Sequence, residues 1–284
     1  MLDFWNGRIL EWLDLYGSTA VVLWCFWSFV LGACFGSFTT ACVWRIPRGI
    51  SIVWPPSSCP KCGHRLGASE NIPILGWLLL RGRCKGCGLP ISPRYVLIEL
   101  ATALLFTVTA YSAVLCRLPL SVIPAWCLIV LCIGSACTDC ELRIIPDKFT
   151  CSGMILALLC AFLFPSTKMP SNMTPLFALT YTFAQIAAVG LFGYSAWYAG
   201  KLLFHREALG RGDVKFLMAI AGFTSVFGAL VAILTGSLLA LLWLLCDAVK
   251  RGRLRRKFAY GPFLAAGALL WLLFRGIGMR LLLK

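Results

Sequence analysis

The chain has 284 residues, 60% of them hydrophobic and 13% charged, with a mean hydropathy of +0.85 and a formal net charge of +15. That composition lies outside the range of soluble globular domains and points to an integral membrane protein. The excess of cations reads as a topological bias across a bilayer, so the bilayer is an expected partner and nucleic acid is not.

From the N-terminus, the first 18 residues carry Asp3, Glu11 and Asp14 against a single Arg8, the reverse of a basic signal-peptide start, so the first helix is expected to be retained. Predominantly apolar runs near the roughly 20 residues needed to cross a bilayer then recur. They fall at 19–44, 95–115, 120–138, 148–165, 175–200, 213–224, 226–246 and 261–279, the sixth being short. The expected fold is an all-α polytopic membrane protein of about eight transmembrane helices with one small extramembrane loop domain. Its divisions are 1–44 (N-terminal segment and first helix), 45–94 (the loop) and 95–284 (about seven further helices).

With eight spans, twenty of the 26 Lys and Arg fall on one face, eight of them in the 45–94 loop and six in "KRGRLRRK" after the seventh helix. Arg8, Arg117, Lys168, Arg275, Arg280 and Lys284 fall on the other. The cation-rich face is therefore expected to be cytoplasmic, with both termini outside. A basic surface of this kind also suits anionic headgroups.

Of fifteen cysteines, eleven lie in or beside the expected membrane helices, where Cys acts as a small apolar residue. The other four form two tight pairs in the loop, "CPKC" (Cys59, Cys62) and "CKGC" (Cys84, Cys87), each followed by a glycine, Gly63 or Gly88. Four thiolates from two turns make a closed tetrahedral zinc site. A loop of this size builds little core alone, so metal binding would supply much of its folding energy. Disulfides are disfavoured in the cytoplasm. His64 could substitute as a ligand, but the four cysteines already fill the site.

Ionisable residues at membrane depth suggest function. Glu99 stands one turn past Arg94, and snorkelling towards that arginine or helix packing accounts for it. Asp247 precedes Lys250 and Arg251 and reads as a solvated helix end. Asp147 follows Pro146, where an acid suits a helix N-terminus. Asp139, in "ACTDCELRIIPD", and Asp213, in "LGRGDVKF", both fall where a loop on the cation-rich face meets a helix. Cys137 and Cys140, which flank Asp139, are expected to be packing residues. Gly210 and Gly212 permit a tight backbone before Asp213. Two carboxylates held close cannot easily both ionise, which suits an aspartic dyad hydrolysing a peptide bond. The same pair would also serve proton or ion coupling in a transporter.

The ordered set of motifs resembles the type IV prepilin peptidases, membrane enzymes of bacterial pilus and type II secretion systems. It runs through "GSF" (Gly36–Phe38), "RIP" (Arg45–Pro47), the two cysteine pairs around "ENIPILGW", "ISPRYVLIEL", the acid and "IPD" from Asp139 to Asp147, "GRGD" and "YGPF" (Tyr260–Phe263). The resemblance implies a GxGD-type membrane aspartic protease of the bacterial inner membrane, with Asp139 and Asp213 as its catalytic acids. Its substrates would be prepilins and pseudopilins, cut on the cytoplasmic side after a Gly that ends a basic leader. N-methylation of the new N-terminus by S-adenosylmethionine would follow, and the cysteine loop is associated with that bifunctional class. The chain departs from the family pattern at Thr39 and Thr40, where Leu and Asn are usual, and this leaves a peptidase without methyltransferase activity as the alternative.

Overall fold

The computed structural model describes residues 2–165, 174–204, 210–252 and 258–282. Of the cations used above to assign sides, Lys168, Arg206, Arg253, Arg255, Arg256, Lys257 and Lys284 lie outside the described residues. The helices are α1 (Leu2–Arg45), α2 (Leu75–Leu79), α3 (Arg94–Leu115), α4 (Val122–Leu142), α5 (Asp147–Leu163), α6 (Pro175–Phe204), α7 (Arg211–Phe223), α8 (Val226–Arg251) and α9 (Gly261–Leu282). Two isolated bridges are the only β-type pairing among the described residues, so the chain is all-α as expected.

The spans sort by length. Helices α1, α3, α4, α6 and α8 are each long and apolar enough to cross a bilayer. Helix α5 has 17 residues and α7 has 13, whereas α9 has 22. At 1.5 Å per residue, α7 is about 20 Å long, short of a hydrocarbon core about 30 Å thick. Of the eight expected crossings, five are therefore long apolar spans among the described residues, α9 matches α3 in length, and α5 and α7 are shorter. The short sixth run was legible by its length; the structure adds that its apolar residues are enclosed by protein rather than lipid. Val214, Phe216, Leu217, Ala219, Ile220 and Ala221 of α7 are all essentially inaccessible.

Two helices lie innermost. Helix α4 touches α1, α3, α5, α7 and α9, while α7 touches α4, α5, α6, α8 and α9. The main core forms around them, from Leu128, Leu131 and Cys132 of α4, Phe149 and Ala157 of α5, Phe216 and Ile220 of α7, and Leu264 and Ala268 of α9.

Helix α1 differs from its expected start. It begins at Leu2 and kinks at Gly17, whose φ of 52° and ψ of −129° are not helical. The segment before the kink is tied to the α3–α4 connection by the Asp14–Arg117 ion pair at 2.6 Å and by the Leu120 N–H on Asn6 Oδ1 at 3.0 Å. Past the kink, α1 packs tightly along α3. A methyl group at Gly32 would stand 2.7 Å from Ala103 Cα, and one at Gly36 would stand 2.7 Å from Glu99 Cα. This is a small-xxx-small helix contact, driven by backbone approach where lipid supplies no hydrophobic force.

Candidate functional site

One end of the bundle gathers the C-termini of α1 and α4 and the N-termini of α3, α5, α7 and α9. Asp139 lies in the last turn of α4 and is 6% exposed. That helix stops because Arg143 turns left-handed (φ 55°) and returns its N–H to the Asp139 carbonyl at 2.9 Å. The Asp139 carboxylate reaches across to α9, where Oδ2 accepts the Gly261 N–H at 2.8 Å. Gly261 is the first residue of α9, so the carboxylate sits on the positive end of a helix whose first N–H groups lack helical partners. Only glycine fits, because a methyl group there would stand 2.8 Å from Oδ2 and 3.1 Å from Cβ of Asp139.

Asp213 lies in the first turn of α7, behind Gly210. Neither Gly210 nor Gly212 is left-handed, so the tight backbone expected of them has another cause. The Asp213 carboxylate folds back over the helix start, and a methyl group on Gly210 would meet Oδ2 at 2.8 Å. Gly212 faces Ile145, in the segment that follows Asp139. The structure brings Asp139 and Asp213 within electrostatic reach of each other, and Tyr260 within reach of Asp213. The Tyr260 hydroxyl is paired with Ser237 Oγ at 2.7 Å.

The other acids have structural partners. Glu99 is 8% exposed and does not turn to Arg94; its Oε2 accepts the Ile74 N–H at 2.6 Å, at the start of α2, which ties the loop to α3. Arg94 instead pairs with Glu141 and donates to the Cys137 carbonyl at 3.4 Å, gripping the α4 turn on both sides of Asp139. Asp147 opens α5 as the acid of its first turn, as expected, and pairs with Lys215 of α7 at 2.7 Å. Asp247 pairs with Arg251 at 2.8 Å, but its side chain is largely buried, so it is not the solvated helix end expected. Cys137 packs against the core, whereas Cys140 is exposed, so the packing role holds for the first only. Thr39 and Thr40 are buried, with their hydroxyls bonded to the α1 carbonyls of Phe35 and Ser37 at 2.6 and 2.7 Å.

The four loop cysteines converge. Their sulfurs all lie within 4.8 Å of one another, with Cys59–Cys87 at 4.0 Å and Cys62–Cys84 at 3.9 Å. A tetrahedron of metal–sulfur bonds of about 2.3 Å has edges of about 3.8 Å, so the cluster fits a four-thiolate metal and is far too open for disulfides. Each pair is built alike. The Cys59 N–H bonds the His64 carbonyl and the Gly63 N–H bonds the Cys59 carbonyl, both at 2.9 Å, and Cys84, Leu89 and Gly88 repeat this at 2.9 and 2.8 Å. The turns close through Gly63 (φ 72°) and Gly88 (φ 70°), a conformation glycine adopts without a Cβ clash.

Backbone N–H groups of Cys62 and Lys61 lower the Cys59 thiol, while the neighbouring thiols raise Cys62, so the cluster titrates as a unit. His64 is not a competing ligand; its Nε2 lies 2.9 Å from Glu70 Oε2. That contact, with the Gly67 N–H on the same oxygen at 3.2 Å, holds the Glu70 carboxyl below its ordinary value.

The chain is thus an all-helical integral membrane protein that joins a carboxylate pair at one end of its bundle to a four-cysteine, metal-type centre. Residues 30–113 match the Bacterial Peptidase A24 N-terminal domain, and residues 125–245 match the Type IV leader peptidase family. The first match spans the cysteine loop and the second spans both aspartates. The chain is 41% identical over 210 residues to the prepilin leader peptidase/N-methyltransferase of Myxococcus xanthus, an alignment covering 72% of this chain and 57% of that protein. It is 32% identical over 235 residues to the protein of the same name from Dichelobacter nodosus (81% and 74% covered), and 31% over 300 residues to that of Dickeya chrysanthemi (94% and 98%). No solved structure matches the chain. The chain belongs to the type IV leader peptidase family.

Sequence reasoning selected the two aspartates and the four cysteines but not their supports. The Gly-Pro pair inside "YGPF" was a legible helix start, yet nothing local indicated that its N–H would serve Asp139.

Proposed function

We propose that this chain is a membrane aspartic endopeptidase that removes the basic leader of type IV prepilins and type II secretion pseudopilins after a Gly. Cleavage would take place at the cytoplasmic face of the inner membrane. The observation that carries the reading is the convergence of Asp139 and Asp213 from the two innermost helices, each acid lying in the first or last turn of its helix at the same end of the bundle. A dyad that shares one proton uses the ionised carboxylate to take a proton from water, whose oxygen then attacks the scissile carbonyl carbon. The protonated partner delivers its proton to the leaving amine. Gly261 supports this chemistry by fixing one Asp139 oxygen, which leaves the other free to face the water.

The cysteine centre suits structural zinc on Cys59, Cys62, Cys84 and Cys87, and folds the 45–94 domain that Glu99 and Arg94 tie to the 95–284 peptidase domain. In the bifunctional form of this reading, bound S-adenosylmethionine would supply the methyl group for the new N-terminal amine. No strand–turn–helix cradle for such a donor exists among the described residues, so no residue is assigned to it. A peptidase without this second activity is favoured by one observation: the Thr39 and Thr40 hydroxyl protons are held by α1 carbonyls rather than presented to a ligand.

The test is purified enzyme with a cognate prepilin. Asp139→Ala and Asp213→Ala should each abolish leader removal while the proteins accumulate normally in membranes. Wild-type cleavage by either variant would refute the assignment.

A further inference from the structure

Beyond the peptidase site, the turn just past the end of α1 has a composition that solvated turns do not share. Its residues, "GISIVWPP" (Gly49–Pro56), include four large apolar side chains that face outward: Ile50 (40% exposed), Ile52 (45%), Val53 (83%) and Trp54 (68%). Turns that project into water are built from Gly, Pro, Asn, Asp and Ser, which serve the backbone without exposing apolar surface.

The backbone of this turn is fixed from within. The Arg45 guanidinium donates to the carbonyls of Ser51 (3.0 Å), Ile52 (3.3 Å) and Pro55 (2.7 Å). The Ile50 N–H returns to the Arg45 carbonyl at 3.0 Å, and Ser51 Oγ accepts the N–H groups of Val53 and Trp54 at 3.3 and 3.4 Å. These bonds hold the loop backbone in a defined arrangement that leaves the four apolar side chains outward.

Its position identifies those surroundings. Helix α1 is one of the full-length membrane spans, and the turn begins four residues after its last residue, Arg45, through the short turn Ile46–Arg48 and a left-handed Gly49. This places it at the level where a span leaves the hydrocarbon. Trp44 is 45% exposed there, with the Arg48 guanidinium stacked 3.4 Å from its ring centroid. Tryptophan beside arginine is the pairing found at headgroup depth, where the ring meets acyl chains and the cation meets phosphate.

We infer that the Ile50–Trp54 turn is a lipid anchor, inserting Ile52, Val53 and Trp54 into the headgroup–acyl boundary of the bilayer beside α1, with Arg48 flanking it towards anionic phosphates and Arg45 holding the turn from within. Short apolar segments with basic neighbours bind interfaces in this way. The anchor holds the 45–94 loop against the membrane on the α1 side, as the Glu99–Ile74 bond holds it on the α3 side. The rival occupant is the apolar helix of a substrate, and the experiment separates the two.

The full-length protein is reconstituted in vesicles of phosphatidylethanolamine and phosphatidylglycerol, with photoreactive p-benzoylphenylalanine replacing Val53, Trp54 or, as a control, the exposed loop residue Ala68. Irradiation should yield phospholipid adducts at positions 53 and 54 several-fold above those at 68. Equal yields at 53 and 68, or capture of co-reconstituted prepilin in place of lipid, would overturn the proposal. Val53→Asp and Trp54→Asp leave the Arg45 contacts intact, since those bonds go to backbone carbonyls. In vesicles with the loop outward, these variants should speed tryptic cleavage of the 45–94 loop several-fold, with no difference from wild type in detergent. A difference of the same size in detergent, or none in vesicles, would contradict it.

Discussion

The Gly261→Ala substitution adds one methyl group at the contact between α9 and the Asp139 carboxylate. That methyl would stand 2.8 Å from Oδ2, 3.1 Å from Cβ and 3.2 Å from Cγ of Asp139. Non-bonded carbon contacts settle near 3.5 Å or beyond, so α9 or the carboxylate must shift by about half an ångström or more. The shift falls on a buried N–H···O bond of 2.8 Å. Hydrogen bonds to charged groups contribute about 1.5–3 kcal/mol, and a misplacement approaching 1 Å at a reacting group costs up to about 10²-fold in rate. We therefore expect kcat for prepilin cleavage to fall by about 10–10²-fold with little change in KM, since this bond positions an enzyme group and does not hold substrate. The assay is time-resolved leader removal by purified enzyme, with equal membrane accumulation as the check on folding. Activity within about threefold of wild type would refute the positioning role of Gly261, because ΔΔG‡ would then be under about 0.7 kcal/mol.

Other consequences follow from the same contacts. Cys59→Ser or Cys84→Ser should lower bound zinc from near one equivalent to well under half and make the 45–94 loop sensitive to protease; retained metal would contradict the four-thiolate centre. Arg94→Ala should slow leader removal, with partial rescue by Arg94→Lys, while stability changes by no more than about 1 kcal/mol because the Arg94–Glu141 pair is partly solvated. Gly36→Leu should destabilise the α1–α3 contact by about 1–3 kcal/mol through overpacking, measured by thermal unfolding in detergent. Glu70 has a folded-state pKa below its ordinary 4.5, so its carboxylate stabilises the loop above that value, and this contribution is lost as the pH falls through the lower, folded-state value. Hydrogen exchange of the loop should therefore separate wild type from Glu70→Gln fully at pH 6; no separation there would contradict the reading.

What the sequence revealed depended on how local each feature was. A Cys-x-x-Cys followed by glycine builds its own turn, so the metal-type centre was visible in two short stretches, and its S···S distances merely joined them. Asp139 and Asp213 stood out because a carboxylate beside an apolar run is costly unless it has a use. Their supports were hidden because they are distant in the chain: Gly261 meets Asp139 across 122 positions and Arg94 meets Cys137 across 43. Glu99 misled because its nearest charged neighbour in sequence, Arg94, is engaged by Glu141, while its true partner is an N–H at Ile74. The start of α1 was missed because Asp3, Glu11 and Asp14 break the apolar run without breaking the helix. Helix α7 looked like a membrane span because residues 216–223 are all apolar, although protein surrounds most of them.

The most direct test of the central claim is mass spectrometry of a pilin N-terminus from cells whose only enzyme of this kind is wild type, Asp139→Asn or Asp213→Asn. The account predicts a mature pilin cut after the leader Gly in the wild type and full-length prepilin in both variants. A mature N-terminus in either variant would contradict the carboxylate pair as the catalytic centre.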